Sequence, residues 1–142
     1  MSESTVVPKL VVAGADHAIE FYQKTLGAEL TVRYAAPGGS VVFSELRIGN
    51  ASISVKDEDG VDKAAITIGG SPIILTLNVD DPDAVATAMQ EAGASVVFPV
   101  GDMPYGMRQG RVQDPFGFQW IVSRRTENLT PDEVQQRLDA GT

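Results

Sequence analysis

"ILTLNVDDPDAVATAMQEAGASVVF", residues 74–98, can be laid over "KLVVAGADHAIEFYQKTLGAELTV", residues 9–32. Gly93-Ala94 then falls on Gly27-Ala28 and Val79 on Ala13, at an offset of about 66 residues. In the earlier copy an apolar strand over Val6 to Ala13 leads to Asp16, which stands where a helix N-cap belongs. Ala18, Ile19, Phe21, Tyr22 and Leu26 then give a helix one apolar face, and Gly27 stops it.

Downstream of that helix come "AELTVRYAA", the turn residues "PGGS", the strand "VVFSELRI", the turn "GN" and "ASISVK". Gly and Pro mark the reversals of a three-strand meander. At the same offset, "VVFSELRIGNASISV" (41–55) overlies "MRQGRVQDPFGFQWIV" (107–122), with a slip of one or two residues at the turn. Each half therefore reads β-α-β-β-β, and either half alone leaves one face of a short sheet uncovered. The sequence predicts an α+β fold of two βαβββ modules in tandem, about 6–56 and 72–124, forming a curved mixed sheet with a concave cavity. Between them "DEDGVDKAAITIGGS" reads as a crossing linker. In "TPDEVQQRLDAG", Thr130 as N-cap, Pro131 and Glu133 make a capping box, which predicts a C-terminal helix over about 131–140.

The chain's 142 residues suit one domain, 1–142. Apolar residues make up 43% and charged residues 21%, the balance of a globular protein. With no cysteine, thiolate nucleophiles and Cys-ligated metal sites are excluded. "MSESTVVPKL" has no basic segment followed by an apolar core, and no apolar run approaches the ~20 residues of a membrane span, so the expected location is the cytoplasm. A net charge of −8 repels nucleic-acid phosphates and anionic membranes and favours a cationic ligand; its simpler meaning is solubility.

"AIEFYQKTLGAEL", "FSELRIGNASISV" and "GRVQDPFGFQW", in this paired architecture, resemble the vicinal oxygen chelate superfamily, which includes glyoxalase I, extradiol dioxygenases and bleomycin-resistance proteins. The "QDPFGFQW" turn is similar to that of the PhnB-like branch, and the resemblance spans roughly residues 6–124. It implies, for the metal-dependent members, a divalent ion held by one ligand on the first and one on the last strand of each module, typically His and Glu. Here those positions fall at Val7 or Lys9, at Glu45, near Ile74 and at Ile121, so three of four ligands are missing. The single histidine, His17, lies at the start of the first helix and reads as a partly exposed helix residue. No cofactor and no catalytic residue is assigned, and enzymatic activity stays open.

Strand alternation puts Phe43, Glu45 and Arg47 on one face and Val42, Leu46 and Ile48 on the other, the second set suiting packing under the helices. The repeat sets Arg111 against Glu45, flanked by Gln109 and Gln113, with Ile74, Thr76, Asn78, Gln119 and Ile121 lining the same hollow. The candidate ligand-binding residues are Glu45, Phe43, Tyr34, Tyr105, Arg111 and Trp120. For Glu45 the alternative is an ion pair with Arg111 or Arg47; for the aromatics, including Phe116, it is packing in the core or at a dimer interface. "GDMPYG" reads as a flexible rim with Tyr105 as a gate. "QDPFGF" reads as a hairpin turn capped by Asp114, leaving Arg108 and Arg111 as ligand or anion contacts.

The leading functional expectation is a metal-independent binding protein that sequesters an antibiotic or other small aromatic or cationic molecule, and that works as a homodimer. The alternatives are a lyase, isomerase or dioxygenase-like enzyme of the same superfamily, and a structural protein with a vestigial pocket.

Overall fold

The computed structural model describes residues 3–141. The chain divides between Gly70 and Ser71 into two compact units, each with its own four-stranded sheet. The first unit contains β1 (Lys9–Val12), α1 (Ala15–Leu26), β2 (Glu29–Ala35), β3 (Val41–Ile48), β4 (Ala51–Asp57) and a short α2 (Ala65–Ile68). In the second, β5 (Ile74–Asn78), α3 (Pro82–Glu91), β6 (Ser95–Met103), β7 (Met107–Gln113) and β8 (Gln119–Arg125) are followed by α4 (Pro131–Ala140). Strand orders are β1-β4-β3-β2 and β5-β8-β7-β6. The first and last strands of each module pair in parallel and the other ladders are antiparallel. The fold is thus α+β with two tandem βαβββ modules.

In the first module α1 buries Ala18, Ile19, Phe21, Tyr22 and Thr25 against the sheet, and Gly27 ends it in the left-handed region at φ 66°. Its N-cap is Gly14, at φ 90°, rather than Asp16. The cap comes from a distance: Asp57, at the end of β4, accepts from the backbone N–H groups of Gly14 (3.2 Å) and Ala15 (2.8 Å), and from Val41 at 2.8 Å. One carboxylate thereby satisfies the helix start and pins the start of β3. Asp16 lies in the first turn and pairs with Arg33 at 2.8 and 2.9 Å. The segment read as a linker forms α2, where Ala64 and Ala65 are buried.

Val42 does not pack under the helix. Tyr34 pairs with Phe43 and Ala35 with Val41, so Val42 is the extra residue of a bulge and is 49% exposed. The bulge shifts parity at the start of the strand, burying Val41 in place of Val42, while Leu46 is buried as the alternation predicts, with Ser44 beside it.

The second module caps its helix locally: Asp81 accepts from Ala84 N–H at 3.1 Å and Pro82 opens α3. Its β7–β8 turn is organised by Asp114, 3% exposed, which accepts from the backbone N–H of Phe116 (2.9 Å) and Phe118 (3.0 Å) and from the Trp120 indole N–H (2.9 Å). Gly117 completes the reversal at φ 93°. Val112, Trp120 and Val122 are buried on the face that α3 covers. At the C-terminus the capping box forms, with Thr130 and Glu133 bonded reciprocally at 3.1 and 3.2 Å, although α4 buries no residue.

Replacing Asp114 with Ala strands three N–H donors in a dry turn, so unfolding free energy should fall by about 3 kcal/mol or more. Asp114→Asn keeps an acceptor oxygen and should lose less. Chemical denaturation of both variants measures the difference; equal stabilities would refute the assigned role.

Candidate functional site

On the second module's sheet, the face away from α3 carries Gln109 and Arg111 from β7 and Gln119, Ile121 and Ser123 from β8. A cavity of about 250 Å³ opens there, lined by Phe98, Met103, Tyr105, Gln109, Arg111 and Ile121, with Gly110. Its shape follows from irregularities in β6. Val96 pairs with Val112, Phe98 with Arg111 and Gly101 with Gln109, so β6 carries one extra residue on each side of Phe98. Pro99, which has no N–H to give a ladder, lies in the second irregularity. Gly110 lets the kinked segment come close: a Cβ there would lie 2.8 Å from the Val100 nitrogen and 2.9 Å from its Cα.

The cavity's polar groups are fixed by one another. The Gln109 amide N–H donates to the Tyr105 hydroxyl at 2.5 Å, and its amide oxygen accepts from Ser123 at 3.1 Å. Arg111 donates through Nη1 to the Gln119 oxygen at 3.3 Å, and its guanidinium lies 5.3 Å from the Phe98 ring centroid, a cation–π contact. Its Nε is buried without a hydrogen-bond partner among the described residues. Among the described residues, the second module's ion pairs belong to Arg108 and Arg137, and Arg111 forms none.

Arg108 points elsewhere. It is bidentate to Asp83 of α3 at 2.7 and 2.9 Å, with Asp102 at 3.2 Å. The bond to Arg108 holds the Asp83 carboxyl below the usual carboxylate range. Arg108 is thereby committed to holding α3 and is unavailable as a ligand contact.

Two further sequence expectations are corrected. Trp120 is 2% exposed and its indole is committed to Asp114, so it belongs to the core rather than to the ligand set. The alternation that turns Gln119 and Ile121 to the open face necessarily turns Trp120 under the helix. The Tyr105 loop is anchored rather than free to swing: the Gly106 carbonyl accepts from Thr126 (2.8 Å) and Glu127 (3.2 Å) N–H, and Arg137 bridges Glu127 and the Pro104 carbonyl.

In the first module, Lys9, Ser54 and Glu45 lie side by side across β1, β4 and β3. The Glu45 carboxylate is half-buried and enters no ion pair among the described residues. Tyr34 stacks on Phe43 at 6.2 Å, and the Lys9 ammonium sits 5.5 Å from the Phe43 centroid. Register agrees with the repeat alignment: Glu45 pairs with Val32 and Ser54, and Ser54 with Lys9, as Arg111 pairs with Phe98 and Ile121, and Ile121 with Thr76. Lys9 and Thr76 stand at the same distance before the helix starts Ala15 and Pro82, so Arg111 is the counterpart of Glu45 and Phe98 that of Val32. Phe98, a wall of the cavity, was passed over because β6 lacks regular alternation.

The same register tests the metal positions of the fold family. The last-strand counterpart of Ile121 is Ser54, since Ser54 pairs with Lys9 as Ile121 pairs with Thr76. Glu45 lies one strand away, on β3. Val7, Lys9, Ile74 and Ile121 offer no lone pairs at neutral pH, so Glu45 is the single ligand present of the four expected. No group of three or more His, Cys, Asp or Glu among the described residues could hold an ion. The residues at these positions do not fit a divalent metal.

Paired βαβββ modules, each with a parallel first–last strand pair, define the class of fold. Residues 5–122 match the Glyoxalase/Bleomycin resistance protein/Dioxygenase superfamily, and the chain belongs to that family. An uncharacterized protein of Mycobacterium bovis is 32% identical over 143 residues, covering 97% of this chain and 94% of the relative. Among solved structures, TioX from Micromonospora sp. ML1 is 28% identical with a TM-score of 0.68, covering 87% of this chain and 99% of that one. The fosfomycin resistance protein FosX from Mesorhizobium loti shares the fold at 14% identity and a TM-score of 0.63, over 98% and 99% of the two chains. Among the described residues no helix is long and apolar enough to cross a membrane.

Gly110→Ala should cost about 1–3 kcal/mol, because the added methyl meets the Val100 backbone rather than a yielding side chain. Gly101→Ala, with open space around its Cβ, should stay within about 0.5 kcal/mol of the parent. Denaturant titration of the pair checks the close approach; similar losses in both would contradict it.

Proposed function

We propose that this protein is a metal-independent small-molecule-binding protein whose second-module cavity receives a ring-bearing ligand. The observation that carries the reading is the cavity of about 250 Å³, walled by Phe98, Met103, Tyr105 and Ile121. Apolar walls with a few fixed polar groups are the usual composition of a ligand site. An apolar void of ~150 Å³ already accepts benzene, so the space suits one substituted ring. The lack of ligating atoms at Val7, Lys9, Ile74 and Ile121 supports binding without a metal. On the first module, Tyr34, Phe43 and Glu45 form a separate aromatic and acidic face, suited to a cationic ligand. Sequestration of such a molecule, an antibiotic being one case, needs only affinity and no catalytic group.

A homodimer belongs to the same reading. Edge strand β6 exposes Val96, Val97 and Phe98 at 44%, 36% and 56%, an apolar edge that a second copy would cover. Sedimentation at high micromolar concentration should show a dimer; monomer alone would remove this part.

Calorimetric titration with neutral one-ring compounds such as phenol and benzamide should show saturable binding that survives chelator treatment. Ile121→Trp, which fills the cavity from its half-buried wall, should weaken that binding at least tenfold while the fold persists. No binding to the parent protein, or undiminished binding to the filled variant, would overturn the assignment.

A further inference from the structure

The second module holds another cavity, of about 220 Å³, between α3 and β6, but its one charged lining residue, Asp83, is already bonded twice to Arg108. The Arg111 cavity differs: among the described residues its charge has no counter-ion.

The polar inventory of that cavity is one-sided. Gln109's amide oxygen is occupied by Ser123, and Gln119's oxygen by Arg111. Tyr105 accepts through its oxygen from Gln109, which leaves its O–H proton free to donate. Arg111 has five N–H bonds, of which one meets Gln119, and its buried Nε–H meets nothing. What the cavity holds in excess is N–H and O–H donors and positive charge. A guanidinium with free N–H groups fits a carboxylate in a two-pronged contact, while a neutral or cationic partner leaves it unsatisfied.

Resting on the reading of this cavity as a small-molecule site, we propose that it selects small aromatic acids. The carboxylate is received by Arg111, with the Tyr105 hydroxyl as a further donor, and the ring lies against Ile121 and Met103. Phe98, whose ring lies 5.3 Å from the guanidinium, holds it toward the cavity by a cation–π contact. The selected charge is opposite to the one that the net charge of −8 attracts at long range. Short-range geometry, rather than the field of the whole chain, sets the preference.

The test compares benzoate with benzamide and benzylammonium, three probes of nearly equal size that differ in charge. Benzoate should bind at least tenfold more tightly than benzamide, and benzylammonium the most weakly. Arg111→Gln, its fold checked by circular dichroism, should lose at least tenfold for benzoate and leave benzamide within twofold. Equal affinities for benzoate and benzamide in the parent protein would overturn acid selection and leave the small-molecule reading standing. Binding of none of the three would sink both. Should the variant fail to fold, the comparison on the parent protein decides alone.

Discussion

The buried carboxylate of Asp114 is the constraint on which the candidate site depends. By accepting from two backbone N–H groups and the Trp120 indole, it fixes the length of the β7–β8 turn and hence the pairing of Gln113 with Gln119. Side chains alternate along strands, so this register sends Gln109, Arg111, Gln119, Ile121 and Ser123 to the open face and Val112, Trp120 and Val122 beneath α3. A slip of one residue would exchange the two sets, burying a guanidinium and exposing the tryptophan. Packing of Trp120 opposes that slip as strongly as the turn does. The same residue therefore secures both the core and the orientation of Arg111 without touching the cavity.

Regular pairing alone would give a flat sheet face with no room for a ligand. Space arises because β6 departs from regularity on both sides of Phe98, and it can do so because Gly110 has no side chain to hold Val100 away. Phe98 consequently lines the cavities on both sides of the strand. In the first module Tyr34 and Phe43 instead stack in the open, with Tyr34 62% exposed. One repeat has produced a cavity and the other an exposed aromatic pair, from strands of the same order and direction.

The repeat, the βαβββ order, the hairpin at Asp114 and the capping box at Thr130 were legible in the sequence because each is written in neighbouring residues or in a fixed offset. Features that depend on distant partners were not. Asp57 caps α1 from 42 positions away along the chain, so Asp16, the nearer acid, looked like the cap. Bulges at Val42 and around Phe98 shift parity by one, which a strict period-2 reading cannot register; that is why Val42 was expected inside and Phe98 was missed. Trp120 was legible by alternation but was drawn to the cavity by its residue type. The equivalence of Glu45 and Arg111, legible at the repeat offset, is matched by their ladders, in which Glu45 pairs with Val32 and Arg111 with Phe98.

Charge shows most clearly how local structure outweighs composition. The chain is acidic, and several of its carboxylates are spent on internal work: Asp83 and Asp102 on Arg108, Asp59 and Asp62 on Lys56, Asp16 on Arg33, Glu127 on Arg137. Each of these pairs neutralises a cation at a place where it holds a helix, a loop or a tail. Arg111 is left out of that scheme although its Nε is buried, and it is stabilised instead by an aromatic ring and an amide oxygen, both weaker partners than a carboxylate. In a protein with an excess of acids, a cation kept from all those of its own module is held ready for an acceptor that the module does not supply.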